Sequence, residues 1–192
     1  MVRIVLDLET TSTQDLRKTG SHAYAQHPDT RVTVLCFAID DGPVETWISG
    51  PPPVRFIAAV LCYPTTVVAH NYLFEFNLYH NKLVPQGWPP IPLCMWSCTM
   101  ARALVAGYPA SLDLVGRAIG LTQQKDHGSR DLMLRFARPR STNPLVWWDQ
   151  TDPARFQALI DYCKQDVLAE RELDRKIPEL SPRERLLSLC WT

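Results

Sequence analysis

The chain opens on a run with few ways to fold, Val2-Arg3-Ile4-Val5-Leu6-Asp7-Leu8-Glu9. Val2 to Leu8 is short and apolar, and reads as a buried strand. Its far end carries two carboxylates. A strand's period of two puts Asp7 and Glu9 on one face, about 7 Å apart. Two acids converging at the end of a buried strand are costly unless they are solvated or bound to metal. Strands also end in polar residues for solubility alone, so the pair by itself leaves both readings open.

The following segments extend this strand into a sheet. Val32 to Ile39 and Val44 to Ile48 are two more strand-like runs, with Asp41-Gly42 between them as a hairpin signal. Gly50-Pro51-Pro52-Pro53 breaks the chain, and Val54 to Cys62 then has helical spacing. Thr65 to Ala69 returns to a β-branched strand, and Tyr72 to Leu83 reads as a helix. Gln86 to Pro92 is a proline-rich loop. Helices are expected near Cys98 to Val105 and over Leu112 to Ile119, the latter with Ser111 as its N-cap. Arg138 and Arg140 fall in a loop with Lys125 and Arg130. A long helix begins at Thr151-Asp152-Pro153, a cap followed by Pro in the first turn, and runs to Ile177 with or without a break. Ser181-Pro182-Arg183-Glu184 is a capping box that announces one more helix. The order β-β-β-α-β-α followed by helices predicts an α/β domain with a mixed sheet, antiparallel at its N-terminal part.

Composition narrows the function classes. Twenty Lys and Arg balance twenty Asp and Glu, so a histone-like or polybasic-tail protein is excluded. A polyanionic partner then has to be met by a local basic patch or a metal. A length of 192 residues fits one domain, or one domain and the start of another. No window approaches the roughly 18 apolar residues of a membrane span, and the N-terminus lacks a signal-peptide pattern. Six cysteines without an export signal imply reduced thiols and a cytoplasmic location. Cys94 and Cys98 have no second pair to complete a zinc site.

Two further elements bear acids. His70-Asn71-Tyr72-Leu73-Phe74-Glu75 lies where a strand hands over to a helix, which places Glu75 in the first turn. An acid there also simply complements the helix dipole. Tyr162-Cys163-Lys164-Gln165-Asp166 puts Tyr162 and Asp166 on one helix face, equally consistent with a part-buried Tyr beside a solvated Asp. The combination in this chain order is far more specific than any member.

That combination resembles the DnaQ-like (DEDD) 3′–5′ exonucleases, which have a ribonuclease-H-like fold. Leu6 to Thr11 matches the first motif, Asn71 to Glu75 the second and Tyr162 to Asp166 the third. The histidine variant would need His at 161, which is Asp161, so the chain resembles the tyrosine subclass. Tyr24 to Pro28, Asp40-Asp41-Gly42, Cys98 to Ala103, Gln123 to Asp126 and Leu180 to Arg185 are similar to the proofreading domain of phage-type family A DNA polymerases. Glu75 stands where the family usually has Asp, one methylene longer.

The resemblance implies a two-metal hydrolysis of the terminal phosphodiester of DNA. Asp7, Glu9 and Asp166 would hold one divalent ion, and Asp7 with Glu75 a second. All-oxygen ligands suit Mg²⁺ or Mn²⁺. Tyr162 would orient the attacking water. Thr10, Asn71, Phe74 and Lys125 are candidate contacts to a single-stranded 3′ end. Four clustered acids should raise at least one pKa in the absence of metal. Residues 1–180 would form the exonuclease domain, and 181–192 the start of a helix leading into a polymerase domain of a longer chain, in a bacterial or phage-infected cytoplasm. An exoribonuclease of the same fold and a non-catalytic DNA-binding or polymerase-supporting domain are the alternatives. His70 reads as a structural histidine.

Overall fold

The computed structural model describes residues 1–122 and 129–190. Five strands form one mixed sheet: β1 (Val2–Thr11), β2 (Arg31–Ile39), β3 (Glu45–Trp47), β4 (Thr65–Ala69) and β5 (Trp96–Cys98), in the order β3-β2-β1-β4-β5. β1, β2 and β3 pair antiparallel, while β4 and β5 run parallel to β1. Helices cover both faces, so the sheet is the ribonuclease-H-like α/β arrangement expected.

The alternation of β1 determines what lies on each side. Ile4, Leu6 and Leu8 join Leu35, Phe37 and Val67 in a core with Phe56 of α2 (Val54–Leu61) and Leu78 of α3 (Tyr72–Leu78). Val5 faces the other way. With Val34, Cys36 and Val68 it packs on Ile160, Cys163 and Val167 of a long helix, Pro153–Lys176. Asp7 and Glu9 continue the Val5 row toward that helix. The helix runs unbroken for 24 residues, and Asp152 accepts from Arg155 N at its start.

The expected order of elements needs correction in several places. A helix α1 (Leu16–Gln26) intervenes between β1 and β2, where none was expected. Its residues are mostly polar, only Tyr24 and Ala25 are buried, and Gly20 breaks its geometry at φ 75°, so no helical apolar period marks it. β1 runs on to Thr11, three residues past its apolar run. β5 is only three residues long, too short for a sequence pattern. The expected helix to Leu83 ends at Leu78 and continues as a π-turn, Tyr79–Leu83. Between α4 (Thr99–Val105), α5 (Leu112–Ile119) and the long helix lie a helix α6 (Ser129–Phe136) and a hairpin of β6 (Ser141–Thr142) and β7 (Leu145–Val146), in what reads as loop from sequence. The long helix is therefore α7. The last helix, α8 (Pro182–Cys190), has the predicted capping box: Ser181 N donates to Glu184 Oε2 (2.8 Å) and Glu184 N to Ser181 Oγ (3.3 Å). Ser111 sits at the N-cap of α5, but its side chain makes no capping bond.

Candidate active site

β1 and α7 lie side by side in opposite directions, and their shared seam has charged groups at each end. At the N-terminal end of β1, Arg3 Nε and Nη2 donate to the two carboxylate oxygens of Asp174 (2.9 and 2.6 Å). Further along, the Cys163 thiol donates to the backbone oxygen of Asp7 (3.4 Å), which places Asp7 against the middle of α7. The register of β1 slips by one residue between Glu9 and Thr10. Such a bulge bends a strand and re-aims its side chains, and is common beside active sites. Thr33 Oγ1 donates to Glu9 O (3.1 Å) next to it. Glu9 is buried and Asp7 half-buried.

Three more acids come to this stretch from two helices. Glu75 enters from the first turn of α3 and is 4% exposed. Its Oε2 is buried without a hydrogen-bond partner, and burial, followed by the charge of Asp7, holds its carboxyl well above the ordinary range. Asp166 comes from α7 and is 5% exposed, with Tyr162 half-buried one turn before it. One turn after Asp166 stands Glu170, 1% exposed, which the sequence reading missed. Burial, then the charges of Asp7 and Glu75, push its carboxyl well above the usual range, against a smaller opposite pull from Thr99. The signal was present: Tyr162, Asp166 and Glu170 are spaced by four, so they share one face of α7.

Glu170 has a defined set of partners. Thr99 Oγ1, at the start of α4, lies 3.1 Å from Glu170 Oε1 and 2.9 Å from His70 Nδ1. His70 Nε2 donates to Ala110 O (2.7 Å), because a carbonyl only accepts. Thr99 has one hydroxyl proton for two neighbours. Its hydroxyl donates to Glu170 Oε1, and His70 Nδ1 lies at the same Thr99 oxygen. His70 is thus a bonded structural histidine, as expected, and it anchors the corner that leads into α3. The corner residue Asn71 has φ 66°, a left-handed conformation that Asn tolerates better than most residues.

The other candidate contacts divide. Asn71 is exposed at the mouth of α3 and its side chain does not cap the helix. Phe74 is half-buried and tilts against Tyr24 at a ring distance of 6.3 Å. Thr10 is buried and shares a hydrogen bond with Tyr24 Oη (3.1 Å), so its hydroxyl is engaged by α1. Lys125 lies outside the described residues.

The donor set suits a hard divalent cation: carboxylate oxygens, one of them a buried orphan, with no lysine or arginine bonded to Glu75 or Glu170 among the described residues. Asp7 raises both glutamates, so these acids are electrostatic neighbours. Among the described residues no three acid, His or Cys side chains converge closely enough to hold an ion as they stand.

No family model matches the chain. A DNA polymerase of Bacillus phage SP02 is 30% identical over 199 aligned positions, which take in 96% of this chain and 29% of the polymerase. The chain therefore spans less than a third of that relative. The family B DNA polymerase from the hyperthermophilic archaeon Pyrobaculum calidifontis superposes with a TM-score of 0.55 at 16% identity, over 91% of this chain and 24% of that one. That likeness shows a shared fold. NrnC of Brucella melitensis with bound Mg²⁺ reaches a TM-score of 0.43 at 14% identity, over 98% of this chain and 85% of that one, a likeness too slight to build on.

Proposed function

We propose that the chain is a divalent-metal-dependent 3′–5′ exonuclease domain that removes the terminal nucleotide of single-stranded DNA, as a proofreading unit of a DNA polymerase. The observation that carries this reading is the buried acid cluster at the bulged end of β1, where Glu75 is left with an unpartnered oxygen. Burying a carboxyl with an unpartnered oxygen costs free energy, which a bound cation would recover. The relation to a phage DNA polymerase over nearly the whole chain supports the same reading. Because the chain spans only part of that polymerase, a polymerase domain in a longer chain fits the reading, with residues 1–180 as the proposed nuclease domain and 181–192 as the proposed start of a helix toward it. No helix among the described residues is long and apolar enough to cross a membrane. A cytoplasmic setting fits the reduced thiols.

Two divalent ions, Mg²⁺ or Mn²⁺, would supply a nucleophilic water at neutral pH and stabilise the leaving oxygen. The chain's own part follows from its side chains. Asp7, Glu9 and Asp166 would hold one ion, and Asp7 with Glu75 the other. Tyr162 donates a hydrogen bond that orients the attacking water. With a phenol pKa near 10 it is not a base at neutral pH. Glu170 accepts from Thr99 and so ties α7 to the His70 corner that positions Asn71 and Glu75. The extra methylene of Glu75 costs one more torsion to order but keeps the charge.

The test is single-stranded DNA with a 5′ label, incubated with Mg²⁺, Mn²⁺ or EDTA. A descending ladder with metal, absent in EDTA and in Asp7→Ala, is the expected result. Binding without any digestion in either metal would sink the proposal. A parallel RNA ladder decides the sugar preference.

A further inference from the structure

The acid cluster poses an electrostatic problem that rests on the nuclease reading. A polyanionic strand has to approach four or five carboxylates on a protein with no net charge. Cations must therefore be gathered locally, close to the end of β1. The described residues offer such a place.

Trp148 follows the β6–β7 hairpin and is half-buried. The guanidiniums of Arg135 and Arg140 each stand 5.3 Å from the centre of its ring. Both arginines are exposed, and among the described residues neither forms an ion pair. The adjacent Trp147 makes an instructive contrast. It too carries an arginine, Arg31 at 5.0 Å, but Arg31 also donates to both oxygens of Asp149 (3.0 and 2.7 Å) and is electrically satisfied. Arg138 is likewise paired, with Asp15 (3.0 Å). Arg135 and Arg140 are two like charges drawn to one ring, and no ion pair among the described residues joins either to an acid.

The position of this pair is fixed by the fold. Arg140 N donates to Val146 O (2.8 Å), which ties the arginine to the hairpin. Ser12 N donates to Ala137 O (3.1 Å), so the segment after α6 is bonded directly to the chain just beyond β1. Phe136 stacks on Phe156 of α7, with ring centres 6.0 Å apart. The two cations thus hang beside the same end of β1 that carries Asp7 and Glu9.

We infer that Arg135 and Arg140, held by Trp148, form a phosphate-binding surface that tracks the backbone of a single-stranded nucleic acid as it enters the acid site. Guanidinium groups suit phosphate because their planar fork donates two parallel hydrogen bonds. The ring limits their motion, so less side-chain entropy is lost on binding. The interaction reads backbone and not sequence, as a proofreading substrate demands.

Fluorescence anisotropy with a labelled oligothymidylate, titrated in EDTA over a range of salt, reads binding without cleavage. The parent is expected to bind with an affinity that falls as salt rises. R135A/R140A is expected to bind roughly tenfold more weakly at low salt, with the log–log salt slope reduced by about 1.4, or about 0.7 for each phosphate no longer neutralised. R55A/R183A removes the same charge from α2 and α8 and should bind like the parent. Unchanged binding in R135A/R140A, an equal weakening in both double variants, or no binding by the parent would each overturn the surface. Adding Mg²⁺ to the same mixtures tests the nuclease separately. A parent that binds through this pair and never cuts keeps the surface and sinks the nuclease.

Discussion

The two ends of the β1–α7 seam are built from the same materials and solve opposite problems. At one end Asp174 is buried among cations. Arg102, 1% exposed, bonds its carboxylate and donates to Asp174 O (2.7 Å), Ile177 O (2.6 Å) and Pro178 O (3.0 Å), while Arg3 bonds both Asp174 and Glu179. Those carbonyls belong to the end of α7 and the chain beyond it, so one guanidinium caps the helix as well as neutralising it. At the other end Asp7, Glu9, Glu75, Asp166 and Glu170 gather without a single Lys or Arg bond to Glu75 or Glu170 among the described residues. One end is a finished structural joint. The other holds two buried glutamates, Glu75 and Glu170, whose carboxyls are raised well above the usual range, and such perturbed buried acids are candidates for function.

The comparison makes opposite predictions for the two ends. The largest effect belongs to the finished joint. Arg102→Ala leaves the buried Asp174 with Arg3 alone and three carbonyls uncapped, so it should cost about 3–5 kcal/mol in urea unfolding. A change near zero would mean that the joint is no more satisfied than the acid cluster.

Glu170 comes next, because burial holds its carboxyl well above the usual range beside Thr99. Glu170→Ala leaves a void and an incomplete Thr99–His70 chain, for a destabilisation of about 1–3 kcal/mol. Glu170→Gln keeps an oxygen to accept from Thr99 without a charge and should be at least as stable as the parent in EDTA. Equal damage from both would show that the group is needed as a charge.

At the open end, Asp7→Asn takes away a charge that, after burial, helps to raise Glu75 and Glu170. It should abolish hydrolysis with Mg²⁺ while leaving a folded protein, and hydrolysis at the parent's rate would remove Asp7 from the site.

The smallest effect is the pH dependence. Glu75 and Glu170 have raised carboxyl pKa values in the folded protein. Their protonated forms are favoured there, so their contribution is full below the unfolded value near 4.3 and is lost as pH rises through the folded values. Melting temperature in EDTA should drop across that window, and Mg²⁺ or Mn²⁺ should flatten the drop. A metal-independent profile would break the contrast between the two ends.

Much of this was legible before any folding. The alternation in β1 already put Asp7 and Glu9 on one face, spacing by four put Tyr162 and Asp166 on another, and the Ser181 capping box formed as written. These are local periodicities, set by backbone geometry alone. The helix α1 was illegible because it buries few side chains and has no strong apolar period, and the strands β6 and β7 because each is only two residues long. What only the tertiary structure decided is which charges are compensated. Glu170 meets Thr99 across 71 positions of chain, Arg102 meets Asp174 across 72 and Arg3 meets Asp174 across 171. A carboxylate in a sequence has the same formula at both ends of the seam. Its protonation and its purpose depend on which distant side chain the fold brings to it, since electrostatic interaction falls with distance in space and takes no account of distance along the chain.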